Sequence, residues 1–291
     1  MSEKAKHSER HRVPFDGGFS IDDVSSDPPD GSPSKKELEA EHDELVKRLD
    51  ELQQRLFADR RHALLTVFQA LDAAGKDSTI RKVFSGLNPA GFRVHAFGRP
   101  SELELRHDFL HRVSEHLPER GKIGIFNRSH YEEVLVVRVH PEFLAAQNLP
   151  SADLKHIWKE RFESIRNFER HLAANGTTIV KFWLNVSRKE QKKRFLERID
   201  KLDKNWKFRL GDLDDREHWD DFRKAYESAL AETSRECSPW YAIPADHKAY
   251  ARVAVARILV ATLEHMNPQF PTLDAEQHRD LEEGRRRLGK E

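Results

Sequence analysis

Cysteine, net charge and long apolar runs are all scarce in this chain of 291 residues. Because Cys237 is the only cysteine, no intrachain disulfide can form, which fits a reducing cytoplasm. Lys and Arg together number 50, as do Asp and Glu, so overall charge gives no argument for nucleic-acid binding. No apolar run approaches the roughly 18 to 20 residues of a membrane span, and the charged segment 1–12 lacks the apolar core of a secretory signal. The sequence therefore predicts a cytoplasmic protein that binds neither membrane nor nucleic acid.

Strands and helices are predicted to alternate along most of the chain. Apolar, β-branched and aromatic residues predict strands over Ala63–Gln69, Arg93–Phe97, Ile123–Asn127 and Thr178–Val186. Helices are predicted over 77–86, 101–116, 131–137, 153–174, 188–200, 216–235 and 247–266. This alternation is typical of an α/β fold in which helices cover both faces of a parallel sheet. Ligands of such sheets bind at the carboxyl ends of the strands, so the loops after the first and third strands should share one crevice.

Composition divides the chain into three parts. Residues 1–33 are rich in Ser, Asp, Gly and Pro and are predicted to form a mobile N-terminal arm. Residues 34–266 form the predicted domain, and residues 267–291 form a variable C-terminal tail. A capping box at Ser34 and Glu37 starts a helix whose leucine stripe comprises Leu38, Leu45, Leu49, Leu52 and Leu56. That stripe either packs on the domain or pairs with a second subunit.

The segment 64–80 has the pattern of a phosphate-binding loop. A buried strand is followed by a turn of small residues that closes on Gly75 and Lys76, and a helix begins there. The predicted phosphate-binding residues of this loop are Ala73, Ala74, Gly75, Lys76, Asp77 and Ser78. Ala70 and Asp77 depart from the general pattern G-x-x-x-x-G-K-[ST], but Asp72 and Asp77 place two carboxylates around one lysine, which suits phosphate carrying Mg²⁺. The alternative is a simple strand-to-helix turn with Asp77 as the helix N-cap.

A second polar segment follows the third strand. Arg128 offers a planar guanidinium suited to phosphate oxygens, and Glu132 and Glu133 lie within reach of a metal ion or a base. The alternative for either glutamate is a first-turn carboxylate favoured by the helix dipole. Arg81 and Arg99, near the same edge of the sheet, are further candidate phosphate ligands.

The stretch 200–215 mixes basic and aromatic residues. Lys204, Lys207 and Arg209 alternate with aromatic side chains, and the stretch is predicted to be a lid that closes over an anionic substrate. A charged loop between helices and a single-stranded nucleic-acid surface are the alternatives. The balanced charge of the chain disfavours the second of them.

Together these segments resemble the polyphosphate kinase 2 family over residues 13–266. The resemblance is carried by the segments 69–77, 126–139 and 206–213 and by Ser238-Pro239-Trp240-Tyr241. It implies a P-loop kinase-like core with a helical lid, and transfer of phosphoryl groups between inorganic polyphosphate and nucleotides with Mg²⁺, or with Mn²⁺ in its place. It also implies assembly into a homo-oligomer, a dimer or a tetramer.

The resemblance also implies roles for individual residues. Lys76 and Arg128 would bind phosphate, and Asp72 would hold metal and orient the acceptor. Asp77 and Glu133 complete the expected metal ligands, and Asn127, Glu132 and Glu133 the expected nucleotide contacts. Lys204, Lys207 and Arg209 would be the phosphate contacts of the lid.

The acceptor is predicted from one position. Asn127 resembles the members that phosphorylate AMP, or both AMP and ADP, whereas members restricted to diphosphates tend to carry Asp there. We therefore expect AMP and ADP as acceptors, with GDP to be tested beside them. Two rival functions are an ATP-dependent nucleoside monophosphate kinase with the same core and a non-catalytic binding protein for polyphosphate or nucleic acid.

Overall fold

The computed structural model describes residues 9–150 and 156–290 and contains a five-stranded parallel sheet. Its strands are β1 (Ala63–Gln69), β2 (Phe92–Ala96), β3 (Ile123–Asn127), β4 (Thr177–Asn185) and β5 (Trp240–Pro244). They lie in the order β2-β3-β1-β4-β5, and every neighbouring pair is parallel. Because Phe68 is paired with Asn127, β1 and β3 end side by side, and the loops that follow them emerge together.

The helices connect these strands. They are α1 (Lys35–Asp59), α2 (Lys76–Val83), α3 (His111–Ser114), α4 (Val136–Val139), α5 (Ile157–Ala174), α6 (Arg188–Asp200), α7 (Gly211–Glu217), α8 (Trp219–Thr233), α9 (Lys248–Met266) and α10 (Ala275–Leu288). Short 3₁₀ turns occupy Ile21–Asp23, Pro89–Gly91, Glu104–Arg106, His130–Val134, Pro141–Gln147 and Leu202–Lys207. Within the described ranges, no helix is both long enough and apolar enough to cross a membrane.

Two hydrophobic cores lie on the two faces of the sheet. Alternate residues of β1 contribute to each, with Leu64 and Phe68 in one core and Leu65 and Val67 in the other. Helices α1, α2 and α9 close the first core, and α5 and α8 close the second. The predicted α/β fold, with a parallel sheet and helices on both faces, is confirmed.

The leucine stripe of α1 packs on the domain. Leu38, Leu49, Leu52 and Leu56 are buried in the first core, beside residues of α9. The stripe is therefore used within this chain, and it is not the surface that would pair with a second subunit.

The described part of the N-terminal arm is packed against the body, which differs from the predicted mobile arm. Val13 donates its N–H to the carbonyl of Trp240 at 2.9 Å, and Ala242 donates to the carbonyl of His11 at 2.8 Å. Val13, Phe19 and Ile21 are buried. The arm runs along β5 because an edge strand has free backbone groups and the arm supplies partners for them.

The helices predicted over 101–116 and 216–235 need correction, and one strand was missed. The helix predicted over 101–116 is only the 3₁₀ turn 104–106 and α3, because the backbone is extended at His107 and the Asp108 side chain then accepts from the N–H of Leu110. The helix predicted over 216–235 is divided at His218 into α7 and α8. The short strand β5 was not predicted. The start of the helix predicted from residue 153 lies outside the described residues, and α5 runs from Ile157.

Candidate active site

The loop between β1 and α2 has the backbone of an anion cradle. Gly75 precedes the helix with a φ of 107°, a backbone conformation in which residues other than glycine are strained. Ala73 also has a positive φ, of 62°. Helix α2 begins at Lys76, so Asp77 lies in its first turn and the alternative of Asp77 as N-cap is wrong. The first N–H groups of a helix have no partner within it and carry partial positive charge. They therefore favour an anion in front of the loop.

Lys76 is buried beneath this loop. Its side chain is 8 % exposed, and Nζ donates to the carbonyl of Ala70 at 2.6 Å. Burial lowers the pKa of the Lys76 ammonium, while the charge of Asp72 opposes that shift. A phosphate beside Lys76 would oppose this lowering of the pKa further, so a bound anion would stabilise the charged ammonium.

Arg128 connects the loops that follow β1 and β3. Its Nη2 lies 2.8 Å from Oδ1 of Asp72, and its Nη1 lies 3.7 Å from Oε2 of Glu132. The carboxylate of Glu132 raises the pKa of Arg128, so this side chain stays charged. Burial alone would raise the pKa of Asp72, but the charges of Lys76 and Arg128 outweigh it and hold that pKa below its usual value. The predicted common crevice therefore brings Asp72, Lys76, Arg128 and Glu132 together.

Asn127 and Asp77 also meet at this edge. The side-chain amide of Asn127 donates to Oδ1 of Asp77 at 2.8 Å. Ser78 lies next to them in the first turn of α2, and its hydroxyl donates back to the carbonyl of Gly75 at 3.0 Å. The mouth of the loop is thus held by side chains from both loops.

A cavity of about 80 Å³ opens beside these charges. Its walls are Ala70, Leu71, Asp72, Arg128, Glu132, Val136, Gln191, Asp212, Asp215, Phe222 and Tyr226. Asp212 and Asp215 come from α7, and the sequence interpretation missed both as site residues. Burial and the charge of Asp72 raise the pKa of Asp212 to about 6, although Arg198 lies 3.2 Å from it.

The second acid of α7 is held by a histidine. His140 Nε2 lies 2.9 Å from Oδ1 of Asp215. The only sequence signal for these acids was the cluster of carboxylates that follows Gly211, inside the stretch predicted as a lid. That cluster indicates a helix start as readily as a site.

Glu133, predicted to contact metal and nucleotide, does not line the crevice. Its Oε2 accepts from Arg161 Nη1 at 2.5 Å and from the Gln147 amide at 2.8 Å, and its side chain is buried. Glu132 and Glu133 lie in a 3₁₀ turn, in which consecutive side chains point about 120° apart. One of the two therefore faces the cavity and the other faces α5.

The other predicted phosphate ligands lie outside the cavity. Lys204 Nζ is 3.1 Å from Glu197, and Lys207 Nζ lies 4.9 Å from the centre of the Trp206 ring. Arg81 and Arg209 are exposed, and Arg99 lies over the ring of Phe143 at 5.6 Å. The structure does not bring these five cations together with Lys76.

The carboxylates fit a metal ion that is shared with substrate. Within the described part of the chain, no three His, Cys, Asp or Glu side chains are grouped closely enough to hold a metal alone. The predicted ligands Asp72, Asp77 and Glu133 are separately bonded to Arg128, Asn127 and Arg161. Mg²⁺, however, usually binds one or two carboxylates together with substrate phosphates and water. Asp72, inside the cavity, meets that requirement.

The fold and the crevice define a class of protein. A parallel sheet whose first strand leads through a glycine turn to a buried lysine, with an arginine from the neighbouring strand, is the arrangement of P-loop kinase-like phosphotransferases. Comparison with known proteins gives the family. The family model for polyphosphate kinase 2 matches residues 32–271, and the chain belongs to that family.

Individual relatives agree with this assignment. The chain is 53 % identical over 245 residues to an ADP-polyphosphate phosphotransferase of Rhodopseudomonas palustris, covering 84 % of this chain and 85 % of that protein. It is 47 % identical over 265 residues to an AMP/ADP-polyphosphate phosphotransferase of Meiothermus ruber, covering 90 % and 95 %. The crystal structure of polyphosphate kinase 2 from Arthrobacter aurescens TC1 matches with a TM-score of 0.85 at 37 % identity, over 94 % of this chain and 95 % of that one. The resemblance inferred from the sequence is confirmed.

Proposed function

We propose that this protein transfers the terminal phosphoryl group of inorganic polyphosphate to AMP and ADP, reversibly and with Mg²⁺. The observation that carries the proposal is the convergence of Lys76 and Arg128 with Asp72 at the N-terminus of α2. Family membership supports polyphosphate as the donor.

The reaction is an in-line displacement at phosphorus. The attacking phosphate oxygen of the acceptor is already anionic near neutral pH, so no strong general base is needed. Lys76, Arg128 and the N-terminus of α2 neutralise charge on the transferred group, and positioning supplies much of the rest. Lys76 would exchange the Ala70 carbonyl for a phosphate oxygen, which keeps its ammonium charged.

Phosphotransferases of this family generally depend on a divalent metal ion. Mg²⁺, or Mn²⁺ in its place, would supply charge neutralisation on the phosphate oxygens. We assign Asp72 to hold it, because its carboxylate faces the cavity and its lowered pKa keeps it ionised.

The acceptors are proposed from Asn127 and from two relatives. The Meiothermus ruber relative is named for AMP and ADP, and the Rhodopseudomonas palustris relative for ADP. The Asn127 amide donates to Asp77, whereas an Asp at this position would set two carboxylates against each other. Asn127 therefore gives Asp77 a hydrogen-bond donor where an Asp would add a second negative charge.

The cations of the predicted lid are proposed as contacts for the polyphosphate chain beyond the crevice. Lys204, Lys207 and Arg209 lie on one exposed segment, and a donor longer than the cavity must leave it. Each of these cations would stabilise a bound polyanion electrostatically, so polyphosphate binding should weaken as salt is added.

The test is nucleotide product analysis with Mg²⁺ and polyphosphate, supplying AMP, ADP or GDP separately and no ATP. ATP formed from ADP supports the proposal, and ADP formed from AMP supports the wider acceptor range. Product with ATP plus AMP, but none with polyphosphate, would instead favour a nucleoside monophosphate kinase.

The oligomeric state and the cellular location are also proposals. We propose a cytoplasmic homo-oligomer, a dimer or a tetramer, whose interface lies elsewhere than on the buried leucine stripe of α1. Light scattering on the purified protein gives the mass directly, and a monomeric mass would contradict this proposal.

A further inference from the structure

Helix α6 lies against the phosphate loop, and two of its buried side chains bind loop carbonyls. The Gln191 amide donates to the carbonyl of Asp72 at 2.9 Å. Arg194 Nη1 donates to the carbonyls of Ala74 at 2.6 Å and Ala73 at 3.4 Å. Gln191 is 2 % exposed and Arg194 is 5 % exposed, so water does not compete for these bonds. One helix therefore holds three consecutive carbonyl groups of the loop.

Holding a carbonyl also orients an N–H group. The carbonyl of one residue and the N–H of the next share a planar trans peptide and point in opposite directions. The bond from Gln191 to Asp72 therefore turns the N–H of Ala73 away from α6. The bond from Arg194 to Ala74 does the same for the N–H of Gly75. The third peptide, between Ala73 and Ala74, differs because the N–H of Ala74 donates to the carbonyl of Leu71 at 3.2 Å. The N–H groups of Ala73 and Gly75 are therefore the oriented donors that the loop offers to a ligand.

The same contacts stabilise an unfavourable backbone. Ala73 has a φ of 62°, in the left-handed region that residues other than glycine rarely adopt. Such conformations persist where the surroundings over-determine them. Here the carbonyls on both sides of Ala73, its own and that of Asp72, are bonded to α6.

Arg194 also reaches a second loop. Its Nη2 donates to the carbonyls of Ala245 at 2.6 Å and Asp246 at 3.0 Å, directly after β5, and its Nε donates to Glu190 at 2.9 Å. A guanidinium has five N–H donors, and these contacts use all five. No donor is left for a substrate phosphate, which distinguishes Arg194 from a phosphate ligand.

We propose that Arg194, assisted by Gln191, is a positioning residue that fixes the peptide orientation of the phosphate loop for binding polyphosphate. This inference rests on the proposed function. Gln191 further accepts from Arg216 Nη1 at 2.6 Å, so α7, which supplies Asp212 and Asp215, is tied to the same contacts. Arg194 thus fixes the backbone of the phosphate loop, and Gln191 links that loop to α7, which lines the cavity.

The test compares Arg194→Ala, Arg194→Lys and Gln191→Ala with Lys192→Ala, a control on the exposed face of the same helix. We expect Arg194→Ala to lower kcat/KM for polyphosphate about 10- to 100-fold, as small misplacements of binding groups do. Arg194→Lys should restore only part of this, because one ammonium cannot span both loops. Free guanidinium, at concentrations too low to unfold the protein, should restore part of the activity of Arg194→Ala by occupying the place of the missing side chain. A variant that had only lost stability would not be restored in this way.

Binding is measured separately from turnover. Calorimetric titration with tripolyphosphate should show weaker binding to Arg194→Ala than to Lys192→Ala, with both proteins folded by circular dichroism. Equal binding and a kcat/KM within about twofold of the control would overturn the inference. If Arg194→Ala does not fold, Arg194→Lys and Gln191→Ala decide by the same two readouts. Lack of turnover by the wild type would instead refute the proposed function, and the tripolyphosphate comparison would still decide the role of Arg194.

Discussion

Two buried lysines of this protein lie in opposite situations. Lys181, on β4, donates to the Tyr131 hydroxyl at 2.8 Å, to Glu169 at 2.5 Å and to the Thr233 carbonyl at 2.9 Å. Its three protons are therefore all used. Lys76, under the phosphate loop, donates within the described residues only to the carbonyl of Ala70. All three N–H donors of Lys181 are bonded within the protein, whereas Lys76 keeps N–H donors for a ligand.

The surrounding charges differ in the same way. Around Lys181, Glu169 supplies the compensating charge. Burial raises the pKa of Glu169, but the Lys181 ammonium and His130 together hold that pKa below its usual value. Around Lys76, Arg128 is a second cation, and the acids Asp72, Glu132 and Asp212 face the cavity. The first cluster is closed to solvent and stabilises the fold. The second contains charges of both signs at an opening, the condition for binding a phosphate and its metal ion.

The largest expected effect is the loss of stability in Lys181→Ala. Removing this cation leaves Glu169 buried without its partner, which costs about 3–5 kcal/mol of unfolding free energy. Urea denaturation measures it. The double variant Lys181→Met with Glu169→Leu should recover most of the loss, because it removes the buried charge as well as its partner. If Lys181→Ala is as stable as the wild type, Lys181 does not stabilise the fold and the proposed difference from Lys76 is contradicted.

Lys76→Ala should change turnover instead. We expect kcat to fall at least about 100-fold, since an electrostatic stabiliser of the transferred phosphoryl group is lost. The denaturation midpoint should stay near that of the wild type, because only one hydrogen bond is removed. Lys82→Ala, exposed on the same helix, is the control. Near wild-type turnover by Lys76→Ala would disprove the site assignment.

Local patterns predicted the scaffold of this site, and long-range packing decided the rest. The bounds of β1, β3 and α6 were predicted to the residue, because apolar runs and the Ser187 cap define them locally. Strand β5 was missed because five residues that include a proline give little signal without their neighbours. Helix α6 was predicted, but the contacts of Arg194 were not, because they depend on how the loops after β1 and β5 meet.

The differences between the predicted acids and those that line the cavity have the same origin. Asp212 and Asp215 reach the cavity only because α7 folds back over it, which no local pattern specifies. Glu132 and Glu133 were both assigned to the site because both follow the third strand, but a difference of one residue changes the side to which a side chain points. Residue type predicted the chemistry, and packing decided which carboxylate takes part.

Asp212 gives a smaller effect with a defined pH window. Its pKa is raised from 3.8 to about 6, so the folded protein keeps a proton that the unfolded chain has released. Stability from this carboxyl is therefore present below about pH 4 and is lost as the pH rises towards 6. Asp212→Asn should abolish this loss and be more stable than the wild type at pH 7 by about 1–2 kcal/mol. Denaturation at pH 5 and pH 7.5 without metal or nucleotide measures it, with Asp214→Asn on the same helix as control.

The smallest effect is expected at Glu133, and it compares two consecutive acids. Glu133→Gln keeps a hydrogen-bond acceptor for Arg161 but removes the charge, so unfolding free energy should fall by about 1 kcal/mol. The Mg²⁺ concentration for half-maximal rate should stay within about twofold of the wild type, because this carboxylate faces α5. Glu132→Gln, one residue earlier, should change the kinetics instead, because its carboxylate pairs with Arg128 at the cavity. A marked rise in the Mg²⁺ concentration for half-maximal rate in Glu133→Gln would instead place this acid at the metal ion, in the same cluster as Lys76.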